Sequence, residues 1–174
     1  MNSRGAIFDL DGTLTDSMYI WQKAPVDLVR RYGGDPPEDL ARDLKEMGRR
    51  EAAEYLRARF SLPAAPEELM DTLNDLVTEE YRSRVPMKPG ADRLLARLDE
   101  LGIACCIVTA SEVFQAKAAM ERLGLWKHFR FAVSCVQYGG TTRPDIYLAS
   151  ARLLGTAPAE TEVFEDALHA AKPA

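Results

Sequence analysis

The chain has 174 residues, 47% hydrophobic and 28% charged, a composition that excludes a disordered segment and suits one α/β domain with a small insertion. Its formal net charge of −5 offers no basic field for a nucleic-acid backbone, and no apolar run approaches the ~20 residues of a membrane span. Asp9 follows the N-terminus too closely for a signal-peptide core, so a cytoplasmic protein is expected.

The first predicted element is the apolar run Gly5-Ala6-Ile7-Phe8, which ends abruptly in Asp9-Leu10-Asp11-Gly12-Thr13. Such a run reads as a buried strand of a parallel sheet, and two acids beside it are tolerable only at its carboxyl end, where open α/β sheets bind ligands. Asp9 and Asp11 are two apart, so an extended backbone directs both to the same side while Leu10 turns into packing. Taken alone, a D-x-D-G run fits a solvated Asp-Gly turn as well as it fits a site.

Ser17 is a plausible N-cap for a helix carrying Met18, Trp21, Leu28, Val29 and Tyr32, kinked at Pro25 and stopped by Gly33-Gly34. Residues 38–60 are polar and helical with a break at Gly48, and the Pro-containing linker 61–66 leads into an amphipathic helix that ends near Arg84. From Asp16 to Val85 the pattern is helical only, which predicts a domain of residues 16–85 inserted into a core of residues 1–15 and 86–174.

Past the hinge Val85-Pro86-Met87-Lys88-Pro89-Gly90, helix and strand alternate. A Leu94, Leu98, Leu101 stripe ends at Gly102, and Ile103 to Val108 is a continuous apolar strand closed by Thr109. Ser111 is placed to cap a helix reaching Leu123-Gly124; Phe129 to Val133 forms a third strand; Pro144 opens a helix ending near Leu154-Gly155. Thr161 to Phe164 is a fourth strand, ending in Glu165-Asp166. The expected fold is therefore a Rossmann-like, doubly wound parallel sheet with an inserted helical domain. Its C-terminal part reads as shortened, leaving Val163-Phe164 as an edge open to self-association.

In a parallel sheet the strand carboxyl ends share one rim, and three of them carry polar chemistry: Asp9 with Asp11, Thr109, and Glu165 with Asp166. Singly, Thr109 fits a helix cap or satisfied core hydroxyl, and the acidic pair fits a solvated loop. Their recurrence at one rim points to a site. With two histidines in the chain, a metal there would be held by oxygen, which favours magnesium. Cys105, Cys106 and Cys135, an odd set with two adjacent, read as buried hydrophobes rather than a disulfide framework.

The run Phe8-Asp9-Leu10-Asp11-Gly12-Thr13-Leu14-Thr15 closely resembles the first motif of the haloacid dehalogenase-like (HAD) phosphohydrolases, and Ile107 to Ser111 and Val163 to Ala167 resemble the second and fourth. The match to the branch of phosphoglycolate phosphatases and β-phosphoglucomutases runs from Ala6 to about His169, with residues 16–85 resembling a C1-type helical cap. The third motif departs from the pattern. Counting back from Pro144-Asp145, the family's lysine register falls on Thr141, and Arg143 is the nearby cation, equally readable as a surface arginine before a helix.

The resemblance implies a magnesium-dependent hydrolase of a small phosphorylated metabolite. Asp9 would be the nucleophile and Asp11 the general acid and base; Asp9, the Asp11 carbonyl and Asp166 would hold Mg2+, with Glu165 behind them. Thr109, Ser111 and Arg143 would meet the phosphoryl group, and Arg49 and Arg50 of the cap would meet the substrate. A β-phosphoglucomutase-type mutase is the alternative, but the His that such enzymes carry five residues after Asp16 is Trp21 here. Dehalogenation would leave Asp11 without work, and a receiver-type signalling domain does not carry a helical insert at this place. A catalytically weak binding or scaffold protein is the remaining alternative.

Overall fold

The structure is a computed structural model and describes residues 3–45, 47–138 and 143–172. The elements follow as β1 (Gly5–Phe8), α1 (Tyr19–Arg31), α2 (Leu40–Leu44), α3 (Arg49–Phe60), α4 (Pro66–Ser83), α5 (Ala91–Glu100) and β2 (Ala104–Thr109). Then come α6 (Val113–Arg122), β3 (Phe129–Ser134), α7 (Asp145–Leu154), β4 (Thr161–Phe164) and α8 (Leu168–Ala171). Two compact units result, one of residues Met1–Asp16 with Val85–Ala174 and one of Ser17–Arg84.

In the first unit the strands are parallel, in the order β3-β2-β1-β4. β1 is central and buried along its whole length, which explains why Gly5 to Phe8 is uniformly apolar instead of alternating. Phe8 stands opposite Ile107 on one side and Phe164 on the other. Its ring stacks on that of Phe164, centroids 4.4 Å apart and planes nearly parallel, and meets Phe129 edge-on at 6.1 Å. Ile7, Cys106 and Val108 face a cluster completed by Ile146, Tyr147 and Leu154 of α7 and by Cys135. Each large side chain withdrawn from water in this way contributes about 1.5–3 kcal/mol, so α7 is held on the sheet by packing. The edge strand β4 is only partly buried. All three cysteines are buried free thiols, as their apolar setting predicts.

In the second unit Val26, Leu28 and Val29 of α1 pack with Leu40, Ala53, Leu56, Leu62, Ala64 and Leu69. α1 continues through Pro25, the expected kink position, as one helix from Tyr19 to Arg31. The lost backbone hydrogen bond costs about 3 kcal/mol, and burial of Ile20, Ala24, Val26, Leu28 and Val29 on the same helix offsets it. Ser17 does not cap α1: the helix starts at Tyr19, and Ser17, fully buried, accepts the Ile20 amide through its carbonyl at 2.9 Å. Glu80, 6% exposed, accepts hydrogen bonds from Tyr19 Oη at 3.0 Å, Lys23 Nζ at 2.9 Å and Arg84 Nη1 at 2.8 Å. No helix among the described residues is long and apolar enough to cross a membrane.

Candidate active site

β1 ends at Phe8, but its ladder to β4 runs one bond further: the Asp9 amide donates to the Phe164 carbonyl at 2.9 Å. That bond sets Asp9 beside the carboxyl end of β4, where Glu165 and Asp166 follow. Carboxylate oxygens of Asp9, Glu165 and Asp166 lie within 4.8 Å of one another. Leu10 is fully buried, as the alternation along an extended segment requires.

After Asp11 the chain folds sharply back. Leu14 and Thr15 amides both donate to the Leu10 carbonyl, at 3.0 and 2.9 Å, and the Gly12 amide donates to the Thr15 carbonyl at 2.8 Å. Gly12 has φ +97°, and a Cβ there would overlap the Asp166 carboxylate, 2.7 Å from its Cγ. Glycine is required twice over, for the left-handed backbone and for the close approach of Asp166.

The electrostatics follow from crowding acids around the near-buried Asp9, with Glu165 half-buried and Asp166 exposed. Asp9 is 9% exposed, and its Oδ2 is buried without a hydrogen-bond partner among the described residues. Burial, then the charges of Glu165, Asp11 and Asp166, push its carboxyl from 3.8 up to about 8, against a hydrogen bond from the Leu10 amide. Glu165 Oε1 accepts the Ala167 amide at 3.1 Å. Burial first, then the charges of Glu165 and Asp9, pushes the Tyr147 hydroxyl to about 12, and burial raises the Cys135 thiol beside the same acids. Tyr147 and Cys135 therefore belong to the surroundings of the acids, a role that sequence reasoning missed. Its only signal was the Pro-Asp-Ile-Tyr helix start.

An oxygen-only donor set with a buried, unpartnered carboxylate oxygen fits a hard divalent cation, and magnesium in particular binds through one or two carboxylates while retaining water. Glu165, read from the sequence as a supporting acid, offers a carboxylate oxygen within the same 4.8 Å as Asp9 and Asp166.

Thr109, fully buried, closes β2 and accepts the Ser111 amide through Oγ1 at 2.9 Å. Ser111 is not the cap of α6. That position is taken by Glu112, whose amide donates to Gln115 Oε1 at 3.2 Å, while the Ser111 hydroxyl donates to Asp11 Oδ2 at 2.8 Å. The ends of β1 and β2 are thus joined through side chains.

Arg143 is not drawn to the acids: its side chain is 69% exposed and its Nε pairs with Asp145 Oδ2 at 3.2 Å, an acid on the next turn of chain. Thr141, the family's lysine position, lies outside the described residues, and residues 139–142 are Gly-Gly-Thr-Thr, with no cation among them. In the helical unit Arg49 is exposed at the first turn of α3, and Arg50 pairs with Glu54 at 3.1 Å and Glu67 at 3.0 Å.

A profile of haloacid dehalogenase-like hydrolases matches residues 4–174. The chain belongs to this family. Hexitol phosphatase A of Escherichia coli strain K12 is 33% identical to this HAD hydrolase over 167 residues, covering 96% of the chain and 76% of the relative. The phosphorylated carbohydrates phosphatase of Thermotoga maritima is 27% identical over 161 residues, 92% of this chain and 74% of that one. Among solved structures, a Thermotoga maritima protein assigned as a β-phosphoglucomutase superposes with a TM-score of 0.84 at 26% identity, covering 97% of this chain and 80% of its own.

Proposed function

We propose that this HAD hydrolase is a magnesium-dependent phosphatase of a small phosphorylated carbohydrate, working through a phosphoryl group carried transiently on Asp9. The observation that carries the reading is the meeting of Asp9, Glu165 and Asp166 at one rim, with one Asp9 oxygen buried and unpartnered. The substrate class is supported by the named activities of the relatives, a hexitol phosphatase and a phosphorylated carbohydrates phosphatase.

In the first displacement Asp9 attacks phosphorus in line, and the ester oxygen leaves with a proton from Asp11. In the second, Asp11 takes a proton from water as that water attacks phosphorus, releasing inorganic phosphate and restoring the Asp9 carboxylate. Thr109, at the end of β2, would bind a phosphoryl oxygen at the rim. Asp9, Asp166 and the Asp11 carbonyl would hold Mg2+, with Glu165 beside them, and the ion would supply the positive charge that lets a carboxylate approach a phosphate dianion. That charge matters more here than in relatives with the third-motif lysine, since residues 139–142 hold no cation and Arg143 is paired with Asp145. The helical unit would act as the cap, with Arg49 a candidate contact for the substrate.

A phosphomutase is the second reading, favoured by the named activity of the Thermotoga maritima structure. Trp21, 40% exposed on α1 where such mutases carry histidine, argues against it. Phosphate release from a panel of sugar phosphates, with Mg2+ and with EDTA, separates the readings. The phosphatase releases phosphate only with Mg2+ and loses it in Asp9→Asn. A mutase interconverts sugar phosphates with little release, and a scaffold does neither.

A further inference from the structure

We propose that Ser111 is a positioning residue for Asp11, fixing the carboxyl group that exchanges protons with leaving oxygen and water, and is not a ligand of the substrate phosphate. The proposal rests on the phosphatase reading above for the role of Asp11, and on geometry for its own part.

Asp11 lies beyond the strand ladder, one residue before the left-handed turn at Gly12, so sheet pairing does not orient its side chain. Ser111 holds it, its Oγ donating to Asp11 Oδ2 at 2.8 Å across 100 residues of sequence. Ser111 is itself held. It is 2% exposed, and its amide donates to Oγ1 of Thr109, the fully buried last residue of β2. The serine is not there to cap α6, because Glu112 does that. A hydroxyl carries a single proton to donate. While Ser111 gives it to Asp11 it has none for a phosphoryl oxygen, which at neutral pH can only accept. The same atom cannot serve both partners, and the geometry assigns it to the carboxylate. Proton exchange by a general acid depends on placement within a fraction of an ångström, so the loss of this bond should be felt in turnover and not in binding.

The test compares the native protein with Ser111→Ala, Ser111→Thr, Asp11→Asn and the Ser111→Ala/Asp11→Asn double variant, each checked by thermal melting, on one turned-over sugar phosphate. Ser111→Ala is expected to lower kcat on the order of 10- to 100-fold. KM for the ester and the inhibition constant for inorganic phosphate should stay close to native, and Ser111→Thr should recover most of kcat. In the Asp11→Asn background the alanine change should cost nothing further, since its effect passes through Asp11. Weakened phosphate inhibition in step with KM at unchanged kcat, or losses that add in the double variant, would overturn the proposal. Crystal structures of native and Ser111→Ala protein decide independently of activity: the Asp11 carboxylate should leave its native position, and its staying in place would refute the positioning role. If no ester is turned over and Asp9→Asn changes nothing, the phosphatase reading fails while this structural comparison still stands.

Discussion

The Asp9 amide and the Phe164 carbonyl are 2.9 Å apart, one hydrogen bond beyond the last paired residues of β1 and β4. This bond brings residues far apart in sequence to a common rim, since the acid that ends one central strand is clamped to the strand whose next two residues are Glu165 and Asp166. The site is a property of strand order as much as of residue type.

Crowding these acids should make the metal-free protein less stable as pH rises. Asp9 has a folded-state value of about 8 against 3.8 for the free group. The folded protein therefore binds more protons than the unfolded chain between those values, and stability contributed below pH 3.8 is lost as pH climbs through about 8. Melting temperatures measured in EDTA should fall more steeply with pH for the native protein than for Asp9→Asn, and the variant should be the more stable near pH 8. Added Mg2+ should raise the native melting temperature more at pH 8 than at pH 5, because binding draws on the ionised form.

Gly12→Ala should damage the site more than the fold. The new Cβ would meet the Asp166 carboxylate, and a φ of +97° strains any residue with a side chain. A stability loss of about 1–3 kcal/mol is expected, or roughly 2–9 °C in melting temperature. Mg2+ affinity, read by calorimetry, should fall at least about tenfold, the lower range for disturbed metal ligands. Unchanged affinity would show that Asp166 does not need the space above Gly12.

Glu80 tests the helical unit separately. Burial favours its neutral form, but hydrogen bonds from Lys23, Tyr19 and Arg84 outweigh that and hold its carboxyl below the ordinary 4.5. Its stabilising contribution is therefore present above that value and lost as pH falls through the lowered one. Lys23 and Arg84 reach solvent, so Glu80→Gln should cost about 1 kcal/mol near pH 7, roughly 2–4 °C. The gap from the native protein should close as the pH is brought below about 4.

The strands and their polar ends were legible because they are local patterns. An apolar run closed by Asp9 and Asp11, another closed by Thr109, and a third closed by Glu165-Asp166 need only chain direction and parallel pairing to converge. Partner choice was not local. Ser111 looked like a helix cap, but Glu112 holds that position and the Ser111 hydroxyl donates to Asp11, 100 positions away. Arg143, the cation nearest the family's lysine position, pairs at the surface with Asp145, two residues off. Pro25 lies inside α1, which runs on through it with buried apolar residues on either side. Tyr147 and Cys135 carried no polar signal of their own, and only their packing against β1 and β2 places them by the acids.

The central claim is that Asp9 and Asp166 hold one divalent cation. Anomalous diffraction from crystals soaked in Mn2+ as a stand-in for Mg2+ measures this directly. The account predicts one peak in coordination contact, about 2.0–2.3 Å, with both the Asp9 and the Asp166 carboxylates, absent in Asp166→Ala. A peak lodged elsewhere in the chain, or none at millimolar ion, would contradict it.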